Sequence, residues 1–265
     1  DDERVRGVAE SLLQKTVGYS RWSLSDFTAS ADKIIYDNGR AVGLECNLTH
    51  ADEAVVLRVQ GSLGVQHAYN YAAAAAVGSI LGVPLSAAAA SLREHIPPPG
   101  RMRLVDGIKG TLIIDDTYNS SPVAMSRALQ TLKEVKGLRK RGTLSERKIA
   151  VLGDMLELGQ FSTAAHREAG EQVATSADML VTIGVRAHGI AKGARDVGMN
   201  EEAIFEYYAA HQAGKELELI LREGDVVLVK GSQGLRLERV VEEIMADPES
   251  AEDILVRQDE IWRGR

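Results

Sequence analysis

Apolar residues recur at helical spacing near the start of the chain. Val5, Val8, Ala9, Leu12 and Leu13 share one face of a helix predicted over residues 4–14. The period then drops to two. Residues 27–36, 40–47 and 54–60 are short segments rich in branched and aromatic side chains, separated by turn signals. The first two are joined by Asp37-Asn38-Gly39, and an Asn-Gly step tolerates the positive φ that tight hairpin turns need. The third, extended to residues 53–61, is predicted as a further antiparallel strand. Residues 67–81 then read as a helix whose many alanines permit close packing on a sheet, with Gly82 and Pro84 ending it. Ser86 is predicted as the N-cap of a second helix over residues 87–95.

Pro97-Pro98-Pro99-Gly100 cannot continue a helix and forms a stiff, extended connection. It divides the chain into residues 1–98 and 99–246, followed by a polar segment, 247–265, read as a ragged tail or an added helix. Beyond the prolines the pattern alternates. Short apolar strands are predicted at 111–115, 148–152, 179–183, 203–207 and 226–229, with helices at 122–135, 163–174, 187–197, 211–221 and 235–245. Alternating strand and helix predicts an α/β fold built on a mostly parallel, doubly wound sheet. No internal repeat is visible.

Composition narrows the function classes. The chain has 265 residues, 45% hydrophobic and 26% charged, ordinary for a water-soluble fold. No apolar run approaches the roughly 20 residues of a bilayer span. The single cysteine, Cys46, rules out an internal disulfide and fits a reducing cytoplasm. A formal charge of −7 and 5% aromatics leave no broad basic footprint for nucleic acid.

Ligands of open parallel sheets bind at the carboxyl ends of the strands. Polar residues cluster there. After the first strand of the second half comes Asp115-Asp116-Thr117-Tyr118-Asn119-Ser120-Ser121-Pro122. After the second comes Gly153-Asp154-Met155-Leu156-Glu157-Leu158-Gly159, after the third Gly184, and after the last Lys230-Gly231-Ser232-Gln233-Gly234, leading into a helix. Singly, each has a plain structural reading: a strand end, a turn, or a helix start with Pro122 at its first position. The Lys-Gly-Ser segment also offers an ammonium, a hydroxyl and a helix N-terminus to a carboxylate or phosphate. The chain has no G-x-x-x-x-G-K-[ST] phosphate loop, no G-x-G-x-x-G after a strand, no G-x-S-x-G elbow and no paired histidine metal motif.

In order, these segments resemble the Mur ligase family. Gly64-Val65-Gln66-His67-Ala68-Tyr69-Asn70-Tyr71-Ala72-Ala73-Ala74 resembles its G-x-H-N-x-x-N-x-x-A-A stretch, and Pro99-Gly100-Arg101-Met102 its P-G-R-M/L element. Asp115-Asp116-Thr117-Tyr118-Asn119 resembles D-D-S/A-Y-N. Val151–Gly159, with His166 following, resembles V-L-G-D-M-L-E-L-G…H, and Val229-Lys230-Gly231-Ser232 resembles V-K-G-S-R. The last three together are similar to the MurF type, which adds D-alanyl-D-alanine to a UDP-muramoyl tripeptide; another ligase of the Mur and folylpolyglutamate superfamily, or a non-catalytic nucleotide-binding module, is the alternative.

The resemblance implies a Rossmann-like C-terminal Mur ligase domain, residues 99–246, preceded by the later part of a central ATP-binding α/β domain, residues 1–98. Asp1-Asp2 resembles the end of the family's N-A-D-D segment. The phosphate loop and the ligands for Mg2+ are then expected upstream, so this chain alone is expected not to catalyse ligation. ATP is the implied co-substrate, UDP-MurNAc-tripeptide and D-Ala-D-Ala the partners, the cytoplasm the location, and a monomer the state. The carry-over also implies residue roles. Asn70 contacts adenine with His67 in support. Arg101 reaches the ATP phosphates or ribose, with Pro97–Gly100 as a hinge. Asp116 binds ribose, and Tyr118 and Asn119 lie near the base. Lys230 and Ser232 hold the incoming dipeptide or the intermediate.

Three positions depart from the family pattern. Ala68 and Ser121 replace asparagines, and Gln233 stands where the family has Arg. An amide does not replace a bidentate guanidinium. Arg236, one turn on, is the residue placed in sequence to substitute.

Overall fold

The structure is a computed structural model describing residues 2–23, 25–137, 139–140, 143–144 and 147–263; Asp1 of the Asp1-Asp2 pair lies outside the described residues. The chain divides into two compact units, Asp1–Ile35 with Val42–Ile96, and Tyr36–Ala41 with Pro97–Arg265.

The first unit begins with α1 (Glu3–Ser11), capped by the Asp2 carboxylate, which accepts from the amides of Arg4 and Val5 at 2.9 and 3.3 Å. Its apolar positions Val5 and Val8 are exposed. A four-stranded sheet follows in the order β1 (Tyr19–Ser20), β2 (Phe27–Asp37), β3 (Arg40–His50), β4 (Glu53–Gln60). The Asn38-Gly39 turn takes positive φ at both residues, 48° and 84°, as the sequence predicts. Alternate residues Leu44, Cys46 and Leu48 of β3 and Leu57 and Val59 of β4 are buried on one face. That face is covered by α2 (Gln66–Ile80) through Ala68, Tyr71, Ala72, Ala75 and Ala76, and by α3 (Leu85–Arg93) through Leu85, Ala88 and Ala89. The small alanines let the helix approach the sheet closely. The cap expected at Ser86 is corrected: Pro84 occupies the N-cap of α3 and Ser86 lies in its first turn.

The second unit contains β5 (Arg103–Asp106), β6 (Leu112–Asp116), α4 (Pro122–Glu134), the short pair β7 (Arg139–Lys140) and β8 (Thr143–Leu144), β9 (Lys148–Gly153), α5 (Ser162–Val173), β10 (Met179–Ile183), α6 (His188–Asp196), β11 (Ile204–Tyr207), α7 (Ala210–Ile220), β12 (Val226–Lys230), α8 (Glu238–Ile244), α9 (Ala251–Ile254) and α10 (Glu260–Arg263). Its sheet runs β11-β10-β9-β12-β6-β5, parallel except for the antiparallel edge strand β5. β6, β10 and β12 are buried at every residue, and their stretches 112–114, 179–181 and 226–229 read as apolar runs. Ile113, Val151, Val181, Val227 and Val229 face a core shared with α7 and α8. The intervening residues Leu112, Ile114, Leu152 and Leu228 are equally buried. Helix α4 packs on α5 and α5 on α6.

Two features differ from the sequence expectation. The four-residue β5 alternates too briefly to register as a strand. The last predicted helix is broken: Gln233–Leu235 form a 3-10 turn, Arg236 adopts a left-handed φ of 56°, and α8 starts only at Glu238. The polar segment beyond Ala246, read as a ragged tail or an added helix, forms two short helices, with Ala251 and Leu255 in the core.

Candidate functional site

Parallel pairing of β6 and β12 places their terminal residues side by side, Lys230 opposite Asp116. The Lys230 ammonium donates to Asp116 Oδ2 at 2.7 Å and to the Asn119 carbonyl at 3.0 Å. Asp116 Oδ1 accepts from the Met102 amide at 3.2 Å. Both side chains are buried, so each charge has its compensation inside the protein. Lys230, expected from the resemblance to hold an incoming ligand, is engaged here in an internal ion pair.

Asp115 is fully buried. It accepts from the Gly100 amide at 3.0 Å, the Thr117 amide at 3.2 Å and the Thr117 hydroxyl at 2.6 Å. Burial pushes its carboxyl up to about 6, and the neighbouring Asp116 charge acts in the same direction. The hydrogen bonds from Thr117 and Gly100 oppose the shift by favouring the ionised form. These bonds fold residues 115–119 against Gly100, whose carbonyl accepts from the Tyr118 amide at 3.0 Å. Arg101, Tyr118 and Asn119 stay exposed. The Arg101 guanidinium lies over the Tyr118 ring, 3.9 Å from its centroid, forming an open cation–aromatic platform. Asn119 turns its side-chain oxygen onto the Ser120 amide at 2.8 Å.

The loop after β9 is held from three sides. Asp154 Oδ1 accepts from the Ala187 amide at 2.7 Å. Gly184, at a φ of 111°, lies so close that a Cβ there would stand 2.5 Å from the same oxygen. The Ser232 amide donates to the Asp154 carbonyl at 2.9 Å, and the Ser232 hydroxyl accepts from the Leu156 amide at 2.8 Å. Buried His166 completes the clamp. Its Nε2 accepts from the Met155 amide at 2.9 Å, and its Nδ1 lies 2.7 Å from the Ser162 carbonyl. That pattern requires the neutral Nδ1–H tautomer.

The helix N-terminus expected beside Lys230 is not there. Ser232 precedes only the 3-10 turn and makes no side-chain cap bond. Arg236, the residue placed in sequence to stand in for the family's arginine, donates to Glu238 and to the Trp262 carbonyl. In the first unit, His67 is buried with its ring stacked on Tyr71 at a centroid distance of 6.2 Å, and Asn70 is exposed. Among the described residues no group of three or more His, Cys, Asp or Glu could hold a metal ion. The fold also brings to the site two residues that sequence reasoning missed, Glu238 and Arg257. Arg257 Nη2 donates to the Thr117 carbonyl at 2.6 Å. No local pattern signals this contact across 140 residues.

A ligand reaching these strand ends therefore meets the exposed Arg101, Tyr118 and Asn119 on a buried, hydrogen-bonded frame. The platform suits a flat ring or an anion.

Comparison with known proteins places this arrangement among relatives. Residues 100–233 match the Mur ligase family's glutamate ligase domain. The chain is 31% identical over 187 residues to the UDP-N-acetylmuramoyl-tripeptide–D-alanyl-D-alanine ligase of Bacillus subtilis, covering 70% of this chain and 39% of that protein. It is 32% identical over 221 residues to the protein of the same name in Escherichia coli, covering 82% of this chain and 44% of that protein. The chain thus spans half or less of the length of the relatives it matches. Its fold is similar to the crystal structure of the MurF ligase from Thermotoga maritima in complex with ADP, with a TM-score of 0.74, 24% identity, and coverage of 96% of this chain and 52% of that one.

Proposed function

The chain belongs to the Mur ligase family, and from that premise we propose that it forms the later part of an ATP-dependent amide ligase of peptidoglycan synthesis. The proposed reaction adds D-Ala-D-Ala to a UDP-MurNAc-tripeptide. The tripeptide carboxylate oxygen attacks the γ-phosphorus of ATP, giving an acyl phosphate and ADP. The dipeptide amine then attacks the acyl carbon, loses a proton and expels phosphate. Activation is needed because a carboxylate is a poor acyl donor.

One observation carries this reading. The three segments most similar to the MurF type, 115–119, 151–159 and 229–232, lie at neighbouring strand ends and are bound to one another through Lys230–Asp116 and Ser232–Leu156. The names of the B. subtilis and E. coli relatives support the same substrates. The ADP in the T. maritima structure supports ATP as co-substrate. In the second unit, Arg101, Tyr118 and Asn119 present the exposed nucleotide-contacting groups. Asp116 is held in place for ribose by Lys230. In the first unit, His67 and Asn70 are the proposed adenine-side residues. Lys230 and Ser232 hold the shape of the surface that receives the dipeptide. A divalent cation supplies charge neutralisation to phosphoryl transfer when bound; the described residues offer no cluster to hold it.

The full-length gene product tested with a panel of amines (D-Ala-D-Ala, single amino acids, glutamate on a folate acceptor) decides the substrate. Coupling of D-Ala-D-Ala to UDP-MurNAc-tripeptide with ATP consumption is the expected result. Coupling only of another amine overturns the assignment. The 265 residues alone, which carry no phosphate loop, are expected not to turn over.

A further inference from the structure

The polar segment after Ala246 carries no motif of the family resemblance, yet it ends on the site. Ala251 and Leu255 anchor it in the core of the second unit. Beyond them, Arg257 sits at a left-handed φ of 59°, uncommon for a side chain of this size. Its guanidinium grips Oε2 of Glu238 through Nε at 3.1 Å and Nη2 at 2.8 Å. Glu238 is fully buried, and its other oxygen is taken by Arg236. Thus oriented, the Arg257 fork donates Nη2 to the Thr117 carbonyl at 2.6 Å and Nη1 to the Tyr118 carbonyl at 3.2 Å. Trp262 stacks beside both arginines, with centroid distances of 5.3 Å to Arg236 and 5.9 Å to Arg257. A planar five-donor fork can serve a carboxylate and two carbonyls at once, whereas an ammonium cannot keep that geometry.

We propose that Arg257 is a positioning residue for the nucleotide: clamped by Glu238, it fixes the backbone of Thr117 and Tyr118, and through it the Tyr118 ring and the Arg101 guanidinium stacked on that ring. The inference rests on the proposed function and assigns the C-terminal segment a share in ATP binding. A purely structural role would lower stability without singling out one substrate. A positioning role acts on the nucleotide alone and through Tyr118.

The test uses the full-length gene product, with ATP and D-Ala-D-Ala varied separately and ADP binding followed by calorimetry. In Arg257→Lys, KM for ATP and the Kd for ADP rise about tenfold, while kcat and KM for the dipeptide stay within about twofold. In a Tyr118→Leu background the same substitution adds no further loss, because both act through one element. Thermal unfolding of each variant identifies loss of fold, and Arg257→Gln, which also removes the charge facing Glu238, serves as the harsher second variant, with the ADP Kd read well below its unfolding temperature. Equal rises in both KM values, a fall in kcat alone, or full additivity with Tyr118→Leu overturns the inference. A parent protein that binds ADP and couples dipeptide, with ATP KM unchanged in Arg257→Lys, overturns the inference and leaves the proposed function standing. A parent that does neither overturns both.

Discussion

Lys230 and Asp116 are the last residues of two adjacent parallel strands, and their side chains join the carboxyl ends of those strands with a buried ion pair at 2.7 Å. Removing one partner strands the other charge in a site already shielded from water. Lys230→Met is expected to destabilise the second unit by roughly 3–5 kcal/mol, and Lys230→Met with Asp116→Leu by clearly less. Denaturant unfolding checks both. Equal losses in the single and double variants would show that the pair is not the source of the effect.

Ser232 serves the loop after β9 rather than a helix end. Ser232→Ala leaves the Leu156 amide without its acceptor and is expected to cost about 1–2 kcal/mol. Native-state hydrogen exchange gives the local reading: the Leu156 amide exchanges faster in the variant, with distant strand amides unchanged. Unaltered exchange at Leu156 would contradict the assignment.

His166 holds the backbone of Met155 with one ring nitrogen and that of Ser162 with the other. Nitrogen NMR of the folded chain is expected to find the proton on Nδ1 and none on Nε2. His166→Ala removes both bonds and opens a cavity, at a cost of roughly 2–4 kcal/mol. A proton found on Nε2 would break the Met155 contact as described.

Asp115 makes stability depend on pH in a direction opposite to most carboxylates. Its folded value, pushed up to about 6 by burial, lies above the ordinary aspartate range of the unfolded chain. Its contribution is therefore fully present below about 4 and is lost as pH rises through about 6. A shift of this size corresponds to roughly 3 kcal/mol across that window. Carbon NMR of the Asp115 carboxyl is expected to show a midpoint near the same pH. A midpoint in the ordinary aspartate range would mean that the bonds from Gly100 and Thr117 outweigh burial.

The sheet of the second unit was legible because strands buried on both faces read as uninterrupted apolar runs, as at residues 149–152 and 226–229. The candidate site's polar segments were visible because they gather at strand ends. The hairpin at Asn38-Gly39 followed from φ alone. What escaped was set by distance or by brevity. β5 has four residues and no room for a period. Arg236 carries no turn signature, yet its left-handed φ breaks the final helix, because its guanidinium is fixed by Glu238 and Trp262. Glu238 was missed in the sequence and is fully buried, since two arginines, one of them nineteen residues on, neutralise it. Lys230 and Ser232 were visible as a motif. That they bond inward, to Asp116 and Leu156, depended on strand register, which one sequence does not state.

The central claim is ligation through an acyl phosphate. The most direct measurement gives the full-length gene product ATP, D-Ala-D-Ala, and a UDP-MurNAc-tripeptide whose terminal carboxylate carries heavy oxygen, and follows every product by mass spectrometry. The account predicts the extended pentapeptide and ADP, with one heavy oxygen in each phosphate released. Product formation with unlabelled phosphate, or no extended peptide at all, would contradict it.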